Sequence, residues 1–137
     1  MANEAVLVRF VQEQVDVLQP LLGLQNWVIE VNLPAPDVKL EARTIMRIEW
    51  SADYLFATLT VNAAADNVQR WLSGIEGRRR VLHEMIHLLL AGYHDFQENQ
   101  FRATSLLWNL FCDVDERMVD TMTNVIFRLV QGLDGAE

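Results

Sequence analysis

The sequence predicts an α+β fold, because helical patterns near both ends of the chain enclose a segment in which apolar and polar residues alternate. Apolar residues recur at helical spacing from Val6 to Leu18, and the pattern ends at Pro20, which predicts an N-terminal amphipathic helix of about four turns. With 137 residues, of which 51% are hydrophobic, the chain has the size of one globular domain with its own core. We therefore expect residues 1–137 to form a single domain.

Three segments after the first helix have the period of two that is typical of strands with one buried face. The candidate strands are 27–33, 45–50 and 57–62. Pro34 and Pro36 separate the first from the second, and the short link between the second and the third predicts a hairpin. The expected sheet is small, with three strands or with a fourth added to them.

A further helix is predicted over 73–92, after a short helical stretch at 66–72. Ser73 and Glu76 have the spacing of a capping box, in which each side chain bonds the backbone N–H of the other residue. Gly92 follows the apolar run of this helix and suits its C-terminal cap.

The last part of the chain is predicted to be helical as well, after a polar loop at 94–100. Apolar residues continue at helical spacing to about Gln131, and Asp113 is a residue type that often caps a helix, so we expect the helix to restart there. Residues 132–137 are expected to form a frayed tail.

The most specific feature of the chain is an HExxH motif that begins at His83 and lies inside an apolar run. On a helix, His83 and His87 project from one face, one turn apart, and can both bind a tetrahedral Zn²⁺. Glu84 lies about 100° around the helix from His83, where it could act as the general base for a metal-bound water. The apolar neighbours indicate a buried helix, in which these polar groups would be costly without a metal or a lined cleft.

A catalytic zinc site needs a third protein ligand. The metzincin spacing is absent, because Leu90 and Tyr93 stand where that family has Gly and His. Four residues further along are candidates for the third ligand: His94, Asp95, Glu98 and Glu116.

Among these candidates, Glu116 has the best sequence context, because Asp120 follows it in an ExxxD pattern. The two carboxylates share one helix face, so the first could bind the metal and the second could accept the N–H of a ligating imidazole. Two acids at this spacing usually form a solvated face. Here, however, the upstream HExxH motif still needs a third ligand, and we therefore favour a metal-binding role for Glu116 over a solvated face.

HExxH on one helix and ExxxD on the next resemble the gluzincins, the thermolysin-like clan of zinc metallopeptidases. At this length the chain is similar to the minimal single-domain minigluzincins, which include small phage-encoded members, and the resemblance covers 24–129. It implies a zincin-like domain in which a peptide lies along an edge strand of the sheet. It also implies the site residues: the zinc ligands His83, His87 and Glu116, the general base Glu84, and Asp120 as the partner of His83.

Two residues beyond the motif helix, Tyr93 and His94, are the nearest candidates to polarise an oxyanion in the transition state. The alternative for each is a role in a loop or an interface.

Charge and composition exclude several classes of partner. A net charge of −8 argues against nucleic acid, since phosphate binding depends on clustered Lys and Arg. The only basic cluster, three arginines at 78–80, favours a solvated patch over a clamp for a substrate carboxylate. Cys112 is the only cysteine, which excludes an intrachain disulfide and a cysteine metal cluster. No segment resembles a signal peptide or a membrane span, so we expect a soluble cytoplasmic protein without a membrane partner.

The leading hypothesis is a zinc-dependent metallopeptidase that hydrolyses peptide bonds with a zinc-bound water activated by Glu84. The alternative is a non-catalytic interaction or structural protein in which a zincin-like metal site stabilises the fold. An open fourth position on the metal would favour the enzyme, whereas a fourth protein ligand or a sealed pocket would favour the alternative.

Overall fold

The computed structural model describes residues 2–92, 94–95, 98 and 105–135, and it confirms the α+β class. Helical residues are described at 91–92, 94–95 and 98. The main elements, in chain order, are α1 (Ala2–Leu21), β1 (Val28–Asn32), β2 (Met46–Ser51), β3 (Phe56–Val61), α2 (Val68–Trp71), α3 (Gly74–Leu89) and α4 (Ser105–Gly135). In this part of the chain, no helix is both long enough and apolar enough to cross a membrane.

The three described strands form one mixed sheet in the order β1-β3-β2. Strands β2 and β3 pair in antiparallel fashion, with Met46 opposite Val61 and Ser51 opposite Phe56, so the expected hairpin is confirmed. Strand β1 pairs in parallel with β3. Strand β3 therefore lies in the middle of the sheet, and β2 lies at one of its edges.

The core lies between the sheet and the helices α1 and α3. Its fully buried side chains come from α1, from α3 and from the sheet, because the apolar stripe of each helix packs against the apolar face of the strands. They include Val11, Val15, Leu18, Leu59, Val61, Val81, Leu82, Met85 and Ile86. Helix α3 is therefore fixed by packing on most of its circumference, and this fixes the direction of its remaining polar face.

At Gly77, α3 approaches its neighbours closely. A Cβ atom built on Gly77 would lie 2.5 Å from the ring of Phe10 and 2.9 Å from the backbone carbonyl carbon of Leu72. We expect Gly77→Ala to lower the stability of the protein by about 1–3 kcal/mol, as other overpacked sites do, in a urea unfolding titration. Gly92→Ala is the matched control, because nothing lies within 4 Å of its added methyl group; equal stability of the two variants would contradict the prediction.

Two expectations about the long C-terminal helix are wrong. Helix α4 is continuous from Ser105 to Gly135, so it does not restart at Asp113, and residues 132–135 are helical rather than frayed. The physical reason is a buried stripe that passes through the expected break: Phe111, Asp115, Val119, Thr123 and Val130. Two of its members are polar, which hides its continuity in the sequence.

The predicted ends of α3 also need correction. Ser73 does precede the helix, but its side chain makes no capping bond; its hydroxyl instead donates to the carbonyl of Arg70 at 3.3 Å. At the other end α3 ends at Leu89, and Gly92 is helical rather than a cap. The N–H of His94 donates to the carbonyl of Leu90 at 2.8 Å, which is the i to i−4 bond of a helix that includes Gly92. The described residues of the expected loop at 94–100 are likewise helical.

Candidate metal centre

The polar face of α3 carries His83, Glu84 and His87, all of which are half-buried. Their helix buries Val81, Leu82, Met85, Ile86 and Leu88 on its other sides. His83 and His87 lie on one face with ring centroids 5.3 Å apart, as the four-residue spacing requires. The side chains of the two histidines are 25% and 13% exposed, so they line a cleft rather than the open surface.

Helix α4 brings Glu116 to both histidines. One carboxylate oxygen lies 3.5 Å from Nε2 of His83, and the other lies 3.1 Å from Nε2 of His87. Ligands about 2.0–2.1 Å from a tetrahedral Zn²⁺ are separated from one another by about 3.4 Å, close to both distances. All three donor atoms lie within 4.8 Å of one another, so His83, His87 and Glu116 form a group that could hold a metal ion.

Asp120 lies behind the first histidine. Its Oδ1 is 3.1 Å from Nδ1 of His83, one helical turn beyond Glu116. A carboxylate at Nδ1 holds the proton there and leaves Nε2 as the lone-pair donor, which is the arrangement of most metal-binding histidines. The ExxxD spacing thus places its two carboxylates on the two nitrogens of one imidazole.

Burial controls protonation at this centre. Burial is the main cause that raises the pKa of Glu84 to about 8; the negative charge of Glu116 acts in the same direction, and Arg80 opposes the shift. Burial lowers the pKa of His87, although Glu116 opposes that change. The His87 imidazole is therefore held in the neutral form that metal binding requires, and without a nearby metal cation Glu84 retains a proton to unusually high pH.

Two cavities meet at the candidate metal centre, the group formed by His83, His87 and Glu116. Both are lined by Met46 of β2 together with His83 and Glu84. The first, which we name the arginine cavity, has a volume of about 460 Å³ and is also lined by Arg43, Arg79 and Arg80. The second, the tryptophan cavity, has a volume of about 390 Å³ and is lined by further residues that include Trp50, His87, His94, Cys112, Asp115 and Glu116. The candidate ligands are thus accessible from two sides, beside the edge strand β2.

His94 lies in the tryptophan cavity with an aromatic and an acidic neighbour. Its Nδ1 is 3.3 Å from Oδ2 of Asp115, whose side chain is only 5% exposed. Trp50 packs edge-on to His94 at 5.2 Å and stacks on His87 at 6.3 Å between ring centroids. The Trp50 side chain of β2 therefore contacts both His87 and His94. Tyr93, the other candidate donor, lies outside the described residues.

The other candidates for the third ligand form a separate group. His94, Asp95 and Glu98 have donor atoms within 4.8 Å of one another, but they are not part of the group that contains His83 and His87. Asp95 also accepts a hydrogen bond of 3.2 Å from the indole N–H of Trp50. Of the four candidates named from the sequence, Glu116 is the one that the structure places between the two motif histidines.

Sequence reasoning misses two residues of this site. The alternating pattern explains Trp50 only as a strand residue, and Asp115 stands in the segment 113–116, in which three of the four residues are acidic and a solvated charge is favoured. The position of Asp115 four residues before the buried Val119 is the signal that could have found it, because both belong to the same buried face of α4.

Comparison of the chain with protein families, with curated proteins and with solved structures finds no match. The fold and the site therefore define the class of protein: an α+β domain with a His-His-Glu group that could hold a metal ion. The gluzincin resemblance stays a prediction from the order and spacing of two motifs.

Proposed function

We propose that the protein is a zinc-dependent metallopeptidase. The observation that carries the proposal is the position of Glu116, whose two carboxylate oxygens face the Nε2 atoms of His83 and His87. Two imidazoles and one carboxylate are a donor set that suits Zn²⁺ and leaves a coordination position for water or substrate. A site that serves only to stabilise the fold would have a fourth protein ligand, whereas the described group has three members and faces two cavities.

Zinc held by these residues would act as a Lewis acid and would lower the pKa of a water molecule to about 7. Glu84 lies beside the ligands without belonging to their group, so its carboxylate is free to accept the proton of the attacking water. The same group can then return that proton to the amine that leaves. Burial raises the Glu84 pKa to about 8 and a nearby dication would lower it, which keeps the pKa in the range useful for transfer in both directions.

The edge strand β2 supports a peptide as the substrate. An edge strand has a row of backbone N–H and C=O groups that can pair with an extended chain. Residues of β2 line both cavities at the centre. A peptide added along β2 would cross the candidate zinc ligands and would place side chains on either side of them into the two cavities.

His94 is the proposed donor to the oxyanion of the tetrahedral transition state. The buried carboxylate of Asp115 faces its Nδ1, so the ring is held in one orientation; in the doubly protonated imidazolium, Nδ1–H would donate to Asp115 and Nε2–H to the oxyanion. Trp50 packs against the same ring and limits its movement. In this arrangement Asp115 is a positioning residue, which acts through His94.

The function is tested with an unfolded protein substrate such as β-casein. The zinc-loaded protein is expected to cut it into peptides detectable by mass spectrometry. Incubation with 1,10-phenanthroline should stop the reaction, because it removes the metal, and added Zn²⁺ should restore it. Stoichiometric zinc without any cleavage of unfolded substrates would instead support the non-catalytic alternative.

His94→Ala is expected to lower kcat by about 10²–10³-fold, as the loss of one oxyanion donor does elsewhere, while the zinc content stays unchanged. Asp115→Asn should lower kcat less and shift the pH profile, because the amide cannot hold the imidazolium in the same way. Asp113→Asn, an exposed acid on the same helix, is the control. Loss of zinc in His94→Ala would show that His94 is a ligand and would contradict its role as donor.

A further inference from the structure

The three consecutive arginines at 78–80 do not form one solvated patch. All three are half-buried, and they point to different neighbours. Arg78 donates from its Nε to the side-chain oxygen of Gln14 on α1 at 2.9 Å. Arg79 and Arg80 instead line the arginine cavity, and Arg43, from the loop before β2, joins them there.

Arg80 is held in place on two sides. Its guanidinium carbon lies 4.3 Å from the centre of the Trp71 ring, a cation–π contact. Its Nε is 3.7 Å from a carboxylate oxygen of Glu76, which is too long for a hydrogen bond. That Nε is buried and has no hydrogen-bond partner among the described residues. This buried Nε is not accessible to a ligand, but a guanidinium fixed in this way can bind a further acceptor through its terminal N–H groups at little cost in conformational entropy.

Arg79 is also held, since its guanidinium donates to the side-chain oxygen of Asn124 on α4. The arginine cavity is therefore bounded by cations from both α3 and the loop before β2. Glu76 is the one described carboxylate in its lining that the proposed mechanism does not use, since Glu84 and Asp120 belong to the centre. The lining holds three guanidinium groups and three carboxyl groups. Because Asp120 faces His83 and Glu84 is assigned to the centre, Glu76 is the one carboxylate left to offset the three arginines, in a chain whose net charge is −8.

The charge of Arg80 acts on the centre itself, because it opposes the rise in the Glu84 pKa. His83 and Glu84 line the same cavity as the arginines. A peptide whose scissile bond lies over His83 and Glu84 would thus place a neighbouring residue among Arg43, Arg79 and Arg80. The tryptophan cavity, which lies on the other side, offers Trp50 and Ile48 as well as polar groups.

We infer that the arginine cavity is a specificity subsite for a carboxylate close to the scissile bond of the peptide. The inference rests on the proposed peptidase function and adds the class of substrate to it. Arginine binds carboxylates through paired N–H donors, which gives both affinity and orientation. An acidic side chain and a free C-terminal carboxylate present the same chemical group, and the experiment separates the two sources.

The binding experiment uses the full-length, zinc-loaded Glu84→Gln protein, so that no peptide is cut. The probes are fluorescent ten-residue peptides of Ala and Thr: one with a central Glu and a blocked C-terminus, its Gln counterpart, and the Gln peptide with a free C-terminus. We expect the Glu peptide, the free-C-terminus peptide or both to bind about tenfold more tightly than the blocked Gln peptide, as a charge-assisted hydrogen bond predicts. The peptide that gains affinity identifies the source of the carboxylate.

Arg80→Gln and, separately, Arg79→Gln are expected to remove this preference. Arg78→Gln is the matched control on the same helix and should retain it, since Arg78 is directed to Gln14. Thermal unfolding of each variant verifies that it is folded, and Arg79→Gln keeps the Arg80 contact with Trp71 in place. Equal affinity for all three peptides, no binding of any peptide, or a preference that survives both substitutions would overturn the inference.

A cleavage experiment separates this inference from the proposed function. Wild-type protein is incubated with zinc and a peptide library, and the cut sites are read by mass spectrometry. Cuts with Asp, Glu or a free C-terminus enriched at a fixed distance support both proposals. Cuts without that enrichment overturn the subsite and leave the peptidase standing, whereas carboxylate-dependent binding without any cuts overturns the peptidase and leaves the carboxylate site standing.

Discussion

Replacing Glu84 by Gln is expected to abolish hydrolysis while the protein keeps its zinc. Glutamine has nearly the same size as glutamate but cannot accept the proton of the attacking water. Loss of a positioned general base costs about 10²–10⁴-fold, so kcat on a casein-derived peptide should fall by at least 10²-fold. Zinc content, measured by mass spectrometry of the purified protein, should remain at the wild-type ratio, because Glu84 is not in the His-His-Glu group.

The same substitution has a second readout that does not depend on activity. In the metal-free protein, burial raises the Glu84 pKa from 4.5 to about 8, so between these pH values the folded state binds a proton that the unfolded state has released. The stability of the wild type should therefore fall as pH rises from about 4.5 to about 8. The glutamine of the Glu84→Gln variant does not titrate, and its advantage over glutamate should grow across this window to the order of a few kcal/mol.

Glu30→Gln is the control for both readouts, since Glu30 lies on β1, at the opposite edge of the sheet from β2. It should leave hydrolysis and the pH dependence of unfolding unchanged. Glu84→Gln protein that still cuts peptides at the wild-type rate would exclude Glu84 as the base. A loss of zinc in that variant would instead place Glu84 among the ligands.

The elements that periodicity defines were predictable from the sequence. The three strands, the first helix and the motif helix follow from local patterns of two or 3.6 residues, and the structure places each within a few residues of its expected bounds. The proximity of Glu116 to the motif histidines was also predictable, because the motif needs a third ligand and the i,i+4 spacing to Asp120 restricts the choice. The first inference uses information held within one helix or strand, whereas the second also uses the chemical need of a motif on another helix for a third ligand.

Features that depend on packing between elements were not predictable in this way. The parallel pairing of β1 with β3 depends on the path of the loop between β1 and β2, and the local sequence pattern does not determine that path. Asp115 is buried because α4 turns that face towards His94, and the division of the arginines at 78–80 between α1 and the arginine cavity depends on the rotation of α3 in its packed position. A single sequence gives residue spacing within an element but not the rotation of one element against another.

The second large effect is expected for Glu116→Ala, which removes the carboxylate between the two histidines. Loss of an outer-sphere partner costs about 10–100-fold in metal affinity, and loss of a ligand should cost more. The zinc dissociation constant of Glu116→Ala, measured by competition with a chromophoric chelator, should therefore rise by more than about 100-fold. Asp120→Asn should raise it by only about 10–100-fold, because Asp120 contacts His83 at Nδ1 and acts on the metal through that ring.

Thermal unfolding provides an independent measure of the same site. A ligand that binds only the folded state at about 1,000 times its dissociation constant adds about 4 kcal/mol of stability. Added Zn²⁺ should therefore raise the Tm of the wild type and of Asp113→Ala, which removes an exposed acid from the same helix. It should leave the Tm of Glu116→Ala nearly unchanged at the same concentration. A Tm that responds to zinc equally in Glu116→Ala, together with a lost response in His94→Ala, would move the third ligand to the His94 group and exclude the gluzincin-like arrangement.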